Sequence, residues 1–249
     1  GTRLLTRGLG TEQAEETLAA LLPCPVHRVD SDAMRPRQAM QALLDIAEGG
    51  EPCVFIGTQM LTKGHHFPAV QLVGIIDADA LLFSADFRGE ERMAQLITQV
   101  AGRAGREDSG GRVLLQTHYP DSELFRELRA GSYGAAAERM LGERRAAGLP
   151  PAAQLVMLRA DAPAEKDAEA FLAQLRRQLP TLPAGCELIG PLPSSLPRRA
   201  GRFRWQLWCM SRDRRAAQGA LRALVATGDS LRRPRQLNWF VDVDPVDVA

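Results

Sequence analysis

Residues 99–107 read QVAGRAGRE, with Gln99, Arg103 and Arg106 spaced four and three apart and a glycine, Gly102 or Gly105, just ahead of each arginine. At helical spacing these three side chains share one face. Each glycine costs a helix interior about 1 kcal/mol relative to alanine. What offsets that cost is access, because a backbone without side chains lets another surface come close. Guanidinium forks match phosphate oxygens. Stabilising the charge on a transferring γ-phosphate is worth about 10³–10⁵ in rate, far more than the helical penalty. The chemistry this pattern predicts is therefore phosphoryl transfer, with Gln99, Arg103 and Arg106 as its candidates. The bland alternative is an exposed basic helix with incidental glycines.

The elements that must position this helix are legible from hydrophobic patterning. RLLTRG reads as a short strand and VHRVD as another, with helices near 11–22 and 37–48. PCVFIGT and QLVGIIDAD are continuous apolar runs of the kind found in strands buried on both faces. EERMAQLITQVAG is helical, with Met93, Leu96, Ile97 and Val100 on one face, and GRVLLQTH is a further strand. Buried strands alternating with amphipathic helices predict a parallel sheet covered on both sides, so residues 1–118 are expected to form an α/β domain. A helical connector over 119–150 ends at GLPP.

Residues 151–249 follow a different plan. Strand AQLVMLRAD, helix AEKDAEAFLAQLRRQL, strand CELIG, a Pro/Gly-rich loop PLPSSLPRRAG, strand RFRWQLWCM, helix RDRRAAQGALRALVAT and strand QLNWFVDVD give the order βαββαβ. That is the split, ferredoxin-like α+β arrangement. In RFRWQLWCM, Phe203, Trp205, Leu207 and Cys209 fall on one face and Arg202, Arg204 and Gln206 on the other. The first set reads as core.

Charge is distributed unevenly. The 249 residues carry a net +1, and 29 of the 31 basic residues are arginine. Between Pro191 and Gln236 eleven arginines face two acids, a net +9, which leaves −8 for the rest. Such polarity points to a polyanion or an acidic peptide. Arg198, Arg199, Arg202 and Arg204 interleave with Phe203, Trp205 and Trp208, a mixture suited to single-stranded DNA. The 45% hydrophobic content suits two cores, and no run approaches the roughly 20 apolar residues of a membrane span. The N-terminal segment does not read as a signal peptide. Cys24, Cys53, Cys186 and Cys209 show no C-x-x-C spacing, and His65 and His66 have no acid or cysteine spaced to join them, so a reduced cytoplasmic protein without a metal site is expected.

The run Q-x-x-G-R-x-G-R resembles motif VI of superfamily 2 helicases, which supplies the arginine finger between two RecA-like lobes. GTQMLTKGHHFP (57–68) is similar to motif V and directly follows a buried strand. The longer stretch from IGTQMLTKGHHFP to QVAGRAGR, with GLGTEQAEETL, VHRVDSD, GLPP, RAGRFRWQ and WFVDVDP, resembles the PriA family of primosomal replication-restart DNA helicases across essentially the whole chain.

The resemblance implies a RecA-like second helicase lobe (motifs IV–VI) over 1–118, a connector, and a C-terminal DNA- and partner-binding domain over 151–249. Arg103 and Arg106 match the phosphate-contacting arginines, Arg106 being the preferred finger, and Gln99 matches the motif glutamine. Thr58 and Gln59 match contacts to the DNA backbone. Lys63, Gly64 and His66 match the nucleotide side of the lobe interface, His66 standing where many superfamily 2 members carry an aspartate. Asp30 and Asp32 match an R-x-D-x-D segment, or else cap the following helix. In the second domain Arg198, Arg199 and Arg204 match the DNA-binding region. Arg202 and Gln206 are the candidates for the acidic tail of single-stranded-DNA-binding protein, with Arg202→Ala expected to weaken tail binding and leave thermal stability unchanged.

The 249 residues contain no G-x-x-x-x-G-K-[ST] phosphate loop, and GLGTE lacks its lysine. A finger without a phosphate cradle catalyses nothing. The chain is therefore expected to be the C-terminal half of an ATP- and Mg²⁺-dependent 3′→5′ helicase, inactive by itself, with a zinc-binding insert lying upstream. The implied partners are forked and single-stranded DNA, the tail of single-stranded-DNA-binding protein and other primosome proteins, at replication forks in the nucleoid. Competing readings are a related double-stranded-DNA translocase and a non-enzymatic adaptor retaining a degenerate helicase lobe. The upstream sequence separates them.

Overall fold

The computed structural model describes residues 10–29, 36–57, 70–102 and 111–248. It divides into two units, at residues 136 and 137, inside the segment expected to be a connector.

In the first unit, helix α1 (Thr11–Leu21) precedes strand β1 (Val26–Val29), helix α2 (Pro36–Glu48) and strand β2 (Val54–Gly57). β1 and β2 pair in parallel, with Val26 opposite Val54. Arg28 of β1 reaches Glu12 at 2.9 Å and Glu15 at 3.1 Å on α1, which locks the helix to the pair. Leu43 is buried among Val29, Leu44, Ala47, Phe55 and Val70. Strand β3 (Leu72–Ile75), helices α3 (Ala78–Leu82) and α4 (Gly89–Ala101) and strand β4 (Arg112–Leu115) follow, with β3 and β4 again parallel. Helices α5 (Glu123–Arg129) and α6 (Tyr133–Ala147) complete the helical run, separated by Gly131 at φ +76°.

The expectation of strands buried on both faces is corrected in part. β2 is half-buried throughout, and β3 and β4 alternate, leaving Leu72 and Leu114 54% and 58% exposed. The physical reason is that the described strands form two separate two-stranded pairs. The strand expected at RLLTRG lies outside the described residues.

The second unit contains strand β5 (Gln154–Ala162), helix α7 (Glu165–Gln178), strands β6 (Cys186–Arg199) and β7 (Arg202–Ser211), helix α8 (Arg214–Ser230) and strand β8 (Asn238–Val243). This is the βαββαβ order read from the sequence. The sheet runs β6-β7-β5-β8 with every neighbouring pair antiparallel. α7 and α8 cover one face. Val156, Leu158, Ala160 and Ala162 of β5 meet Phe171, Leu172 and Leu175 of α7 and Ala220 and Leu224 of α8. Leu207 and Cys209 are buried there and Trp205 packs against them, as period two predicts.

One expected loop is instead strand. PLPSSLPRRAG continues β6 as far as Arg199, with register shifts between Ile189 and Leu192 and between Pro193 and Arg198. β6 is an edge strand, the position in a sheet where prolines are tolerated. Among the described residues no helix is long and apolar enough to cross a membrane.

Candidate functional site

The helix carrying Gln99 follows a segment braced by aspartates, one of which reaches the helix itself. Beyond β3 the chain turns at Asp77, which adopts φ 52°, and its N–H donates to Gln116 Oε1 at 3.2 Å. Asp79 of α3 accepts from Thr117 Oγ1 and, at 2.9 Å, from the His118 N–H, tying α3 to the end of β4. Asp86, buried, accepts from the Arg88 N–H at 3.0 Å and pairs with Arg92 Nη2 at 3.0 Å. Asp86 thus braces the turn before α4 and ties it to Arg92 in the first turn of that helix, where a carboxylate also suits the helix dipole. Its Met93, Ala94 and Val100 are buried and Gln99 is exposed on its last turn. The helix closes at Ala101, where the Gly102 N–H donates to Thr98 O at 3.0 Å. Arg103 and Arg106 lie outside the described residues, as do Thr58, Gln59, Lys63, Gly64, His66, Asp30 and Asp32.

In the second unit the arginine-rich segment is a hairpin. Arg199 pairs with Arg202 across a two-residue turn in which Ala200 and Gly201 both have positive φ, 49° and 78°. Such primed turns match the twist of the strands they join. They ordinarily favour glycine or asparagine where Ala200 stands. Arg198 and Arg199 are exposed at the strand end, and the Arg198 guanidinium lies 5.1 Å from the Phe203 ring centroid. Phe203 is thus half-buried beneath an arginine.

Arg202 and Gln206 are brought to one face of β7, but in different circumstances. Arg202 Nε donates to Asp161 Oδ2, and its Nη2 donates to Asp161 O at 2.9 Å and Gln236 O at 2.6 Å. Its side chain is 29% exposed. The expectation that removing it leaves stability near that of the parent is at odds with these contacts, since the guanidinium fastens β7 to β5 and to the loop before β8. Gln206 is only 4% exposed, and its Oε1 has no hydrogen-bond partner. Of two neighbours, Ser194 was missed by sequence reading and Trp208 was read only as an aromatic beside the arginines. Ser194 Oγ and Trp208 Nε1 are likewise buried without partners. Arg204 lies opposite Asp161 in the register.

Arg159 was also missed. It stands opposite Gln206 and Phe240 in the ladder and pairs with Asp242 at 3.7 Å. Burial lowers its pKa, while Asp242 and Asp247 pull the other way. Nothing in the spacing of LRADA marks Asp161 or Arg159 for these roles, because both partners are supplied by strands far along the chain. Among the described residues no three His, Cys, Asp or Glu side chains converge as a metal site.

Comparison with known proteins adds a family. Residues 145–246 match the family described as Primosomal protein N C-terminal domain. The chain is similar to replication restart protein PriA from Haemophilus influenzae, 43% identical over 254 residues that cover all of this chain and 34% of that protein. It is similar to the protein of the same name from Synechocystis, 39% identical over 204 residues covering 80% of this chain and 24% of the relative. The Bacillus subtilis protein of that name is 34% identical over 208 residues, 80% of this chain and 25% of the relative. The chain spans about a third of the length of the first of these relatives and matches its C-terminal portion.

Proposed function

The chain belongs to the replication restart protein family as a C-terminal portion, and from that premise we propose that it is the second motor lobe and C-terminal domain of an ATP-dependent 3′→5′ DNA helicase that restarts stalled forks and assembles the primosome. The observation that carries this reading is the alignment over the whole chain with Gln99 exposed on the last turn of α4. Directly after that turn the sequence continues Gly102-Arg103-Ala104-Gly105-Arg106. Residues 1–118 are read as a RecA-like lobe, 119–150 as a connector and 151–249 as a ferredoxin-like binding domain. Parallel strand pairs and the β6-β7-β5-β8 order support this division.

In the mechanism proposed, a partner lobe holds ATP with its Mg²⁺. Arg106, with Arg103, reaches the γ-phosphate from this lobe and neutralises charge that grows in the transition state. Gln99 positions the same face. Lys63, Gly64 and His66 line the nucleotide side, and Thr58 and Gln59 hold the DNA backbone, so that hydrolysis is coupled to the strand. The function is cytoplasmic, at the nucleoid. Arg198, Arg199 and Arg204 bind forked and single-stranded DNA.

Arg202 and Gln206 take the acidic tail of single-stranded-DNA-binding protein. Gln206 Oε1, buried and unpartnered, is an acceptor and so takes an N–H of the tail, leaving the tail carboxylates to the Arg202 guanidinium. A tail carboxylate at Arg202 competes with Asp161 for the guanidinium.

The test uses two preparations. The purified 249-residue chain hydrolyses no ATP with or without DNA, and measurable DNA-stimulated turnover overturns the reading. Joined to a lobe with a phosphate loop, the chain supports turnover, and Arg106→Ala lowers it about 10³-fold or more.

A further inference from the structure

The arginine-rich run is one block in sequence and two groups in space. β7 and β8 are both antiparallel to β5, with Asp161 opposite Arg204 on one side and Asn238 on the other. The β6–β7 turn and the α8–β8 loop therefore lie at the same end of the sheet. The 2.6 Å bond from Arg202 Nη2 to Gln236 O joins them directly. Arg232, Arg233 and Arg235 of that loop are exposed, as are Arg198 and Arg199 of the hairpin. Leu231 and Leu237, at either end of the loop, are buried at 6% and 4% exposure, and the Leu237 N–H donates to Pro234 O at 3.0 Å. The loop is thus anchored by its leucines and presents charge. None of the five arginines forms an ion pair among the described residues. Arg212, Arg214 and Arg215 stand at the opposite end, where β5 begins, as do Asp213 and Asp244.

Two local costs are retained at this arginine end. Ala200 adopts left-handed backbone, which disfavours a residue with a Cβ. Arg199 and Arg202 are direct cross-strand partners, and like charges placed so are destabilising. Asp161 offsets part of this at Arg202, while Arg199 is exposed, and an anion at the tip relieves the repulsion that remains. From β6 to β8 is three strand spacings, roughly 14 Å, which spans about three or four phosphates of one strand. A regularly charged backbone fits this width better than the clustered acids of a peptide end.

We infer that Arg232, Arg233 and Arg235 form, with Arg198 and Arg199, a single two-part clamp on a nucleic-acid phosphate backbone, held in register by the Arg202–Asp161–Gln236 connection. The inference rests on the nucleic-acid-binding reading above and adds the second half of the site. It predicts binding without sequence preference, since phosphates carry none.

The test is fluorescence anisotropy of labelled oligonucleotides against the 249-residue chain between about 50 and 200 mM salt. Single-stranded and duplex arms are run with R198Q/R199Q, R232Q/R233Q/R235Q and R233Q alone. Each substitution weakens binding and flattens the dependence of log K on log salt by about 0.7 per engaged arginine for a single strand, or about 0.9 for a duplex. The arm that keeps this relation identifies the strand form. All variants retain the parental tryptophan-detected melting midpoint, and R233Q serves alone if the triple variant does not fold. A loss confined to R198Q/R199Q overturns the two-part clamp and leaves the nucleic-acid reading standing. No loss with any variant sinks both. Weakened binding of a glutamate-rich peptide with unchanged oligonucleotide binding makes the site a peptide site and overturns the inference.

Discussion

Replacing Arg202 by alanine removes one ion pair and two hydrogen bonds to backbone carbonyls at once. The side chains of Arg202 and Asp161 are 29% and 22% exposed, intermediate between a surface pair, worth about 0–1 kcal/mol, and a buried one, whose breakage costs about 3–5 kcal/mol. Screening by solvent therefore places the loss at about 2 kcal/mol. For a unit the size of residues 137–249, an unfolding entropy of about 2 cal/mol/K per residue converts that loss to about 8 °C in melting midpoint. The assay is intrinsic fluorescence. All three tryptophans, Trp205, Trp208 and Trp239, lie in the second unit, so their emission follows this unit alone. Arg202→Lys recovers little, because one ammonium cannot reproduce the fork. Asp161→Asn causes a similar fall, and the double variant falls by clearly less than the sum of the two. A midpoint within about 2 °C of the parent for Arg202→Ala refutes the fastening role, and any loss of acidic-tail binding by that variant then reports contact rather than unfolding.

Gly228 of α8 sits beneath Trp239, and a Cβ built there comes within 2.6 Å of the indole ring. Gly228→Ala gains about 1 kcal/mol of helix propensity yet lowers the melting midpoint, because overpacking costs about 1–3 kcal/mol; differential scanning calorimetry reads the sign. Burial pushes the Cys209 thiol from 9.0 up to about 12, with the adjacent Cys186 contributing. Its raised folded-state pKa means that stability from this group is complete below about pH 9 and is lost as pH rises toward 12, while Cys209→Ala removes that part of the decline in a denaturant series. At pH 8 a thiol reagent labels Cys209 only upon unfolding, as mass spectrometry of the modified peptide reports.

Much of this architecture was legible because it is local. Apolar runs marked β2, β3 and β5, and 3.6-residue spacing marked α4, α7 and α8. The alternation in RFRWQLWCM assigned Leu207 and Cys209 to the core. Local signals misled at β6, where prolines read as a loop because nothing in a sequence says which strand will lie at an edge. They also missed α3, whose five residues are too few for a helical period. The partnership of Arg202 with Asp161 joins residues 41 apart, and the bond to Gln236 joins residues 34 apart. Both depend on strand order, which sets what an arginine meets. The same order separates Arg212, Arg214 and Arg215 from the other arginines of what looks like one basic block.

The prolines at 191, 193 and 197 in the outermost strand have a consequence for self-association. An unprotected sheet border is a template for another chain, and a border lacking amide protons at three positions cannot be matched by a continuous ladder. Growth of this sheet by added strands is therefore disfavoured on the β6 side, and β8 is the margin at which a further strand meets fewer obstacles.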